Sequence, residues 1–154
     1  MGAIGPEARR VVEEQRLCFV ATVNDDGTPN LSPKGTIGVL DDDHLAFGDI
    51  RSPRTVQNLR ARPAIEINVL DPIGRRGYRF RGTAEIVDPG PRFDALEATF
   101  RARGLEHPFH CVVLVTVERA EPVISPAYDD GLTEGEVRDR WKRHYAELES
   151  VRAE

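Results

Sequence analysis

The feature that most constrains this chain is a series of short, β-branched apolar runs, each closed by a turn signal. Leu17 to Val23, Ala64 to Leu70 and Phe109 to Glu118 are rich in Val, Ile, Phe and Thr, residues that suit a pleated, half-buried surface. Asp25-Asp26-Gly27-Thr28 follows the first run and reads as a hairpin turn, because glycine accepts the positive φ of such turns. Gly77 to Val87 alternates: Tyr78 and Phe80 share one side, Arg79 and Arg81 the other. Two further strands are expected, from Pro29 through Leu40 and from His44 to Gly48, with Asp41-Asp42-Asp43 turning between them. Pro33, Gly35 and Gly38 interrupt the first of these. They weaken a plain strand but let another backbone or a ligand come close. Six strands joined by hairpin signals predict a mainly antiparallel barrel or sandwich.

Helices fall between and after these strands. Pro6 to Gln15 has helix-forming composition with proline in the first turn. Ser52 is placed to cap a helix that Pro53 opens and Pro63 stops. Pro91 to Arg103 reads as a third helix. A fourth runs from about residue 133 to Val151, with Thr133 and Glu136 at capping-box spacing. Val137, Trp141, Tyr145 and Leu148 recur at helical spacing in it, which predicts packing against the barrel. No repeat or linker divides the 154 residues, so one α+β domain over 1–154 is expected.

The net charge of −5 argues against broad binding to nucleic acid. Arginine is nevertheless dense from Arg51 to Arg62 and from Arg75 to Arg81, a pattern suited to a small anionic ligand. No run approaches the roughly 18 apolar residues of a membrane span. The opening MGAIGPEARR has no apolar signal core, so a cytoplasmic protein without membrane contact is expected. Cys18 and Cys111 lie in apolar runs and read as reduced core residues. The four histidines make no metal-ligand spacing with them, and no metal is expected.

Two segments carry candidate chemistry. At Arg51-Ser52-Pro53-Arg54-Thr55 a helix start exposes backbone N–H groups, to which two hydroxyls and two guanidinium forks are added. This is either a phosphate cradle or an ordinary capped surface helix. At Ser32-Pro33-Lys34-Gly35-Thr36 a polar, glycine-containing run interrupts a strand. It either faces a polar ligand or marks a β-bulge at an edge. There is no nucleophile elbow, catalytic triad or dinucleotide fingerprint.

The order of these segments resembles the pyridoxamine 5′-phosphate oxidase-like FMN-binding split β-barrels. The resemblance rests on FVATVNDDGTPNLSPKGTIGVLDDDHLAFGDIRSPRTVQNLRARPAIEINVL and GYRFRGTAEIV. It implies a homodimer holding FMN at its interface. Ser32, Pro33, Lys34, Gly35 and Thr36 would lie along the ring and ribityl chain. Gly48 and Asp49 would flank the ribityl phosphate. Arg51, Ser52, Arg54 and Thr55 would take the phosphate, with Asn58 and Leu59 bracing their helix. Arg76 to Arg79 would reach the site of the second subunit. The chain departs from the oxidase itself. It has Arg54-Thr55 in place of an Arg-Lys pair, Gly38 where a lysine stands near substrate, and no match to the C-terminal substrate motif.

The resemblance therefore implies a flavin-dependent oxidoreductase acting on a small-molecule substrate. The alternatives are a flavin- or heme-holding protein without turnover, with His107 and His110 as heme-ligand candidates, and a deazaflavin reductase. Lys34 could polarise the N1–C2=O edge of a flavin. Ser125 and Tyr128 follow the last strand, and two readings stand for their segment: mouth of the cofactor pocket, or structural support.

Overall fold

The computed structural model describes residues 2–153. Helix α1 spans Pro6–Gln15, followed by β1 (Cys18–Val23), β2 (Pro29–Lys34), β3 (Gly38–Val39) and β4 (His44–Asp49). Helix α2 (Pro53–Ala61) leads to β5 (Ala64–Asp71) and β6 (Arg76–Val87). Helix α3 (Pro91–Ala102), β7 (Cys111–Ile124), a 3₁₀ turn (Pro126–Tyr128) and α4 (Glu134–Arg152) complete the chain.

All seven strands join one antiparallel sheet in the order β2-β1-β5-β6-β7-β4-β3. That order forces the sheet to curl. Strands β2 and β3 are its two edges, yet only residues 35–37 link them. So short a link spans roughly 14 Å at most, far less than a flat seven-stranded sheet requires. The two edges therefore meet, and the architecture is the expected split barrel.

The strand count differs from the expected six because Pro29 to Leu40 is two strands, one on each edge. Across the break, the Thr36 hydroxyl accepts from the Gly48 N–H at 3.0 Å and donates to the Gly48 carbonyl at 2.9 Å. Strand β7 continues to Ile124, beyond the expected end at Glu118. A bulge between Arg81 and Gly82 re-registers β6 against it. Glycine is required there, because a Cβ on Gly82 would stand 2.1 Å from the Thr116 carbonyl oxygen.

The barrel interior is filled by Val20, Leu45, Phe47, Ile67, Val69 and Phe80, with Val12 of α1 packed among them. A second cluster, built on Phe93, Phe100, Phe109 and Val112, seats α3. Both cysteines are buried and unpaired, as expected. The expected packing of α4 is not found. Only Val137 of that helix is buried. The Thr133–Glu136 capping box and the Arg138–Asp71 ion pair fix its first turns, and beyond Trp141 the helix leaves the barrel.

Candidate functional site

The start of α2 is held against β1 by Asn58. Its amide donates to the Thr22 hydroxyl at 3.0 Å and to Asn24 Oδ1 at 2.9 Å. Thr55, Asn58 and Leu59 form the buried face of the helix. This leaves Arg51 and Arg54 outside, both exposed. Ser52 stands at the N-cap but its side chain makes no capping bond, so the first turn keeps unsatisfied N–H groups.

The charges of this region sort into two sets. Arg60 pairs with Asp88, Arg62 with Asp25, Arg76 with Glu134 and Glu7, and Arg81 with Glu66. Arg51, Arg54 and Arg79 have no carboxylate partner among the described residues.

Lys34 is the buried cation of the site, 6% exposed. Its ammonium donates to the Ser32 hydroxyl and, at 3.3 Å, to the Pro33 carbonyl. Burial pulls its pKa below the ordinary lysine value, against the opposing influence of Cys18 and Asp49. The Cys18 thiol, on the residue paired with Lys34 across β1 and β2, is pushed up to about 12 by burial. Asp49 ends β4, and its backbone carbonyl accepts from His110 N at 2.8 Å. Asp49 is 5% exposed, and its Oδ1 has no hydrogen-bond partner among the described residues. A buried acceptor of this kind calls for a donor that the described residues do not supply.

A cavity of about 760 Å³ opens at this point, lined by Asp49, Arg51, Ser52, Gln57, Arg60 and His110 among others. It gathers four of the sequence candidates, Asp49, Arg51, Ser52 and His110. The Ser32–Thr36 run is divided. Ser32 and Lys34 face inward and Pro33 outward. Gly35 lines a separate cavity of about 280 Å³, with Arg16, Ile37 and Arg103. Thr36 is committed to Gly48. At Gly48 itself the Phe109 ring packs so closely that a Cβ would stand 2.5 Å from it.

Arg76 and Arg79 lie on opposite faces of β6. Arg76 is ion-paired beside α1 and α4, while Arg79 stands on the outer face with Phe19 and Leu31. Ser125 and Tyr128 lie at the end of β7 that pairs with Arg76, whereas Asp49 pairs with Cys111 at the other end. The 14 residues of β7 separate them, roughly 40 Å along the strand. The Tyr128 hydroxyl donates to the Gly74 carbonyl at 2.7 Å, and Ser125 caps the 3₁₀ turn. Within one subunit they are structural supports and do not form the pocket mouth. Sequence reasoning missed Gln57 in the large cavity and Arg103, whose guanidinium crosses Gly38 to donate to the Val39 carbonyl at 2.5 Å. Neither lies in a motif. Arg103 reaches its place only because α3 folds back over β3.

Residues 4–124 match the pyridoxamine 5′-phosphate oxidase family model. The chain belongs to that family. HupZ of Group A Streptococcus is 32% identical in structure-based comparison, with a TM-score of 0.71 over 79% of this chain and 95% of that one. An FMN-binding protein of Syntrophomonas wolfei shares the fold at 16% identity (TM-score 0.63; 77% of this chain, 85% of that one). An F420 reductase does so at 24% identity (TM-score 0.61; 77% and 98%). No curated protein matches the chain. The family match ends at β7, so α4 lies outside it.

Proposed function

We propose that this family member is an FMN-dependent oxidoreductase acting on a small molecule. The observation that carries the reading is the separation of charges around α2. Neither Arg51 nor Arg54 is in ion-pair contact with a carboxylate among the described residues, Asp26 acting on Arg54 only at longer range. Both stand beside open helix N–H groups, while their neighbours Arg60 and Arg62 are ion-paired. These groups would hold a phosphate monoester. The buried, unsatisfied Asp49 Oδ1 fits the same ligand, since a ribityl chain brings hydroxyl donors. Lys34 and Ser32 would meet the polar edge of the ring. Bound there, FMN would supply the hydride or electron transfer. The residues of the chain hold its phosphate, orient the ring and, at Lys34, place a positive charge where reduction builds negative charge.

A second copy of the chain would cover the outer face around Phe19, Leu31 and Arg79. Leu31 is 68% exposed there, an apolar surface out of place on a free monomer. Arg79 of each subunit would then be free to reach its partner's ligand. No helix among the described residues is long and apolar enough to cross a membrane. The two unpaired thiols suit a reducing cytoplasm.

A deazaflavin is the second reading, favoured by the same unpartnered arginines, since its tail is also phosphate-linked. The absorption spectrum of the purified protein separates these readings. A flavin band near that of free FMN, released on denaturation and identified as FMN by mass, is the expected result. A deazaflavin or heme band, or failure of the colourless protein to bind added FMN, would overturn it.

A further inference from the structure

The turn between β1 and β2 is fastened along one side of α2. Arg54 and Asn58 stand one helical turn apart on the same face, and Arg62 follows at the helix end. The Asn58 amide donates to Asn24 Oδ1 at 2.9 Å, and both terminal nitrogens of Arg62 donate to Asp25 Oδ1 at 3.1 Å. Asn24 in turn donates to the Thr28 hydroxyl at 3.1 Å, which ties the two sides of the turn together. Asp26, next along this turn, lies within the field of Arg54 but is not in ion-pair contact with it.

The turn itself holds Asp26 in place. Its Oδ1 accepts from the Thr28 N–H at 3.0 Å and from the Thr28 hydroxyl at 2.5 Å. These two bonds, with the Arg54 charge adding to them, hold the Asp26 carboxyl below the ordinary aspartate range, so it is ionised at neutral pH. Its neighbour Asp25 differs, being neutralised by Arg62. Asp26 is therefore a fixed negative charge set before the exposed guanidinium that the start of α2 offers to an anion.

We propose that Asp26 is a specificity-determining residue of the phosphate cradle: it repels a phosphate held at Arg54, and so limits both the affinity and the charge of what binds there. The inference rests on the cofactor reading given above and adds the selectivity of that site. A dianionic monoester meets about twice the repulsion that a monoanion meets at the same distance. A flavin without phosphate meets almost none. Asp26 cannot swing away to relieve the repulsion, because Thr28 holds it, and the Asn58 and Arg62 contacts hold the turn against α2.

Calorimetry with FMN and riboflavin tests this on the full-length parent, Asp26→Asn and Asp25→Asn. The titrations are made at low ionic strength and about pH 8, where a phosphate monoester is dianionic. Asparagine keeps the Oδ1 acceptor that Thr28 uses, and circular dichroism checks the fold. Asp26→Asn is expected to bind FMN about three- to tenfold more tightly than the parent, and riboflavin equally well. In 1 M salt, where the Debye length is about 3 Å, the gain is expected to fall below about twofold. Asp25→Asn makes the same change of net charge one residue away and is expected to gain less than about twofold at low salt. Unchanged or weaker FMN binding by Asp26→Asn, an equal gain in Asp25→Asn, or an equal gain for riboflavin would overturn the inference and leave the cofactor reading standing. Failure of all three chains to bind FMN would overturn that reading and the inference with it.

Discussion

The hydroxyl of Thr36 ties the link between the two edge strands to β4 by bonding both the N–H and the carbonyl of Gly48. It does what a backbone pair would do, at a point where β2 has ended and β3 has not begun. Both Gly48 groups lie in the buried part of β4. Thr36→Val keeps the shape and removes both bonds, so it is expected to lower stability by about 2–3 kcal/mol. Thr36→Ser is expected to lose less than half as much. Urea denaturation checks this, and equal losses in the two variants would show that the hydroxyl is not the source.

Arg54 is exposed and without a carboxylate partner, while Arg60, two turns further along α2, is paired. Arg54→Ala is therefore expected to cost little stability and to weaken FMN about tenfold to a hundredfold, the loss of one charge-assisted contact. Riboflavin, which has no phosphate, is expected to bind the variant and the parent alike. Calorimetry with both ligands is the measurement. Equal weakening of the two would place the phosphate elsewhere.

Local chemistry explains which parts of this structure were legible in the sequence. Helix α1 begins and ends where Pro6 and Gln15 suggest, and α2 sits between Pro53 and Pro63, because proline acts on its own neighbours. The alternation in β6 was also readable. It did not reach Arg76, which the structure adds to β6 on the side of Tyr78 and opposite Arg79, so these two arginines do not serve one site within a subunit. The split of Pro29 to Leu40 was not readable. Whether Gly35 to Ile37 is a bulge or a crossing between sheet edges depends on β4, which follows in sequence and pairs with β7. Burial of Lys34 near Asp49 depends on that same closure. The position of Tyr128 depends on how far β7 runs, and the charged Arg119 and Glu121 and the strand-breaking Pro122 hid its full length.

Lys34 carries its charge into the barrel wall. Burial lowers its pKa in the folded chain from the ordinary 10.5, so the unfolded chain binds that proton more readily. Stability lost to this group is complete below the folded value and is regained as pH rises toward the unfolded one. Lys34→Met removes the penalty. It is expected to raise the Tm of the cofactor-free protein at pH 7 by about 2–4 °C, roughly 1 kcal/mol for a chain of this size. The gain is expected to shrink at pH 10, and FMN is expected to bind the variant more weakly. Melting curves at both pH values test the sign. A variant less stable than its parent at pH 7 would mean that the ammonium contributes more through Ser32 and Pro33 than its desolvation costs.

Tyr128 donates to the carbonyl of Gly74 across the hairpin between β5 and β6. Tyr128→Phe is expected to cost about 1 kcal/mol of stability and to leave FMN affinity and turnover unchanged. Thermal melting and steady-state rates measured together separate support from gating. A changed rate with unchanged stability would place this residue at a partner's pocket.

Leu31 projects from the outer face of β2 beside Phe19, with Arg79 on the same surface. Because it is 68% exposed in the single chain, Leu31→Asp is expected to change the stability of the isolated fold by no more than about 0.5 kcal/mol. An aspartate buried in a subunit interface has no such latitude, since its desolvation costs more than the surface position does unless a facing cation compensates it. The variant is expected to dissociate at tenfold or higher protein concentration than the parent in sedimentation velocity, and to lose FMN as it does so. If it remains associated through this face and keeps its cofactor, Leu31 is a plain surface residue and the subunits meet elsewhere.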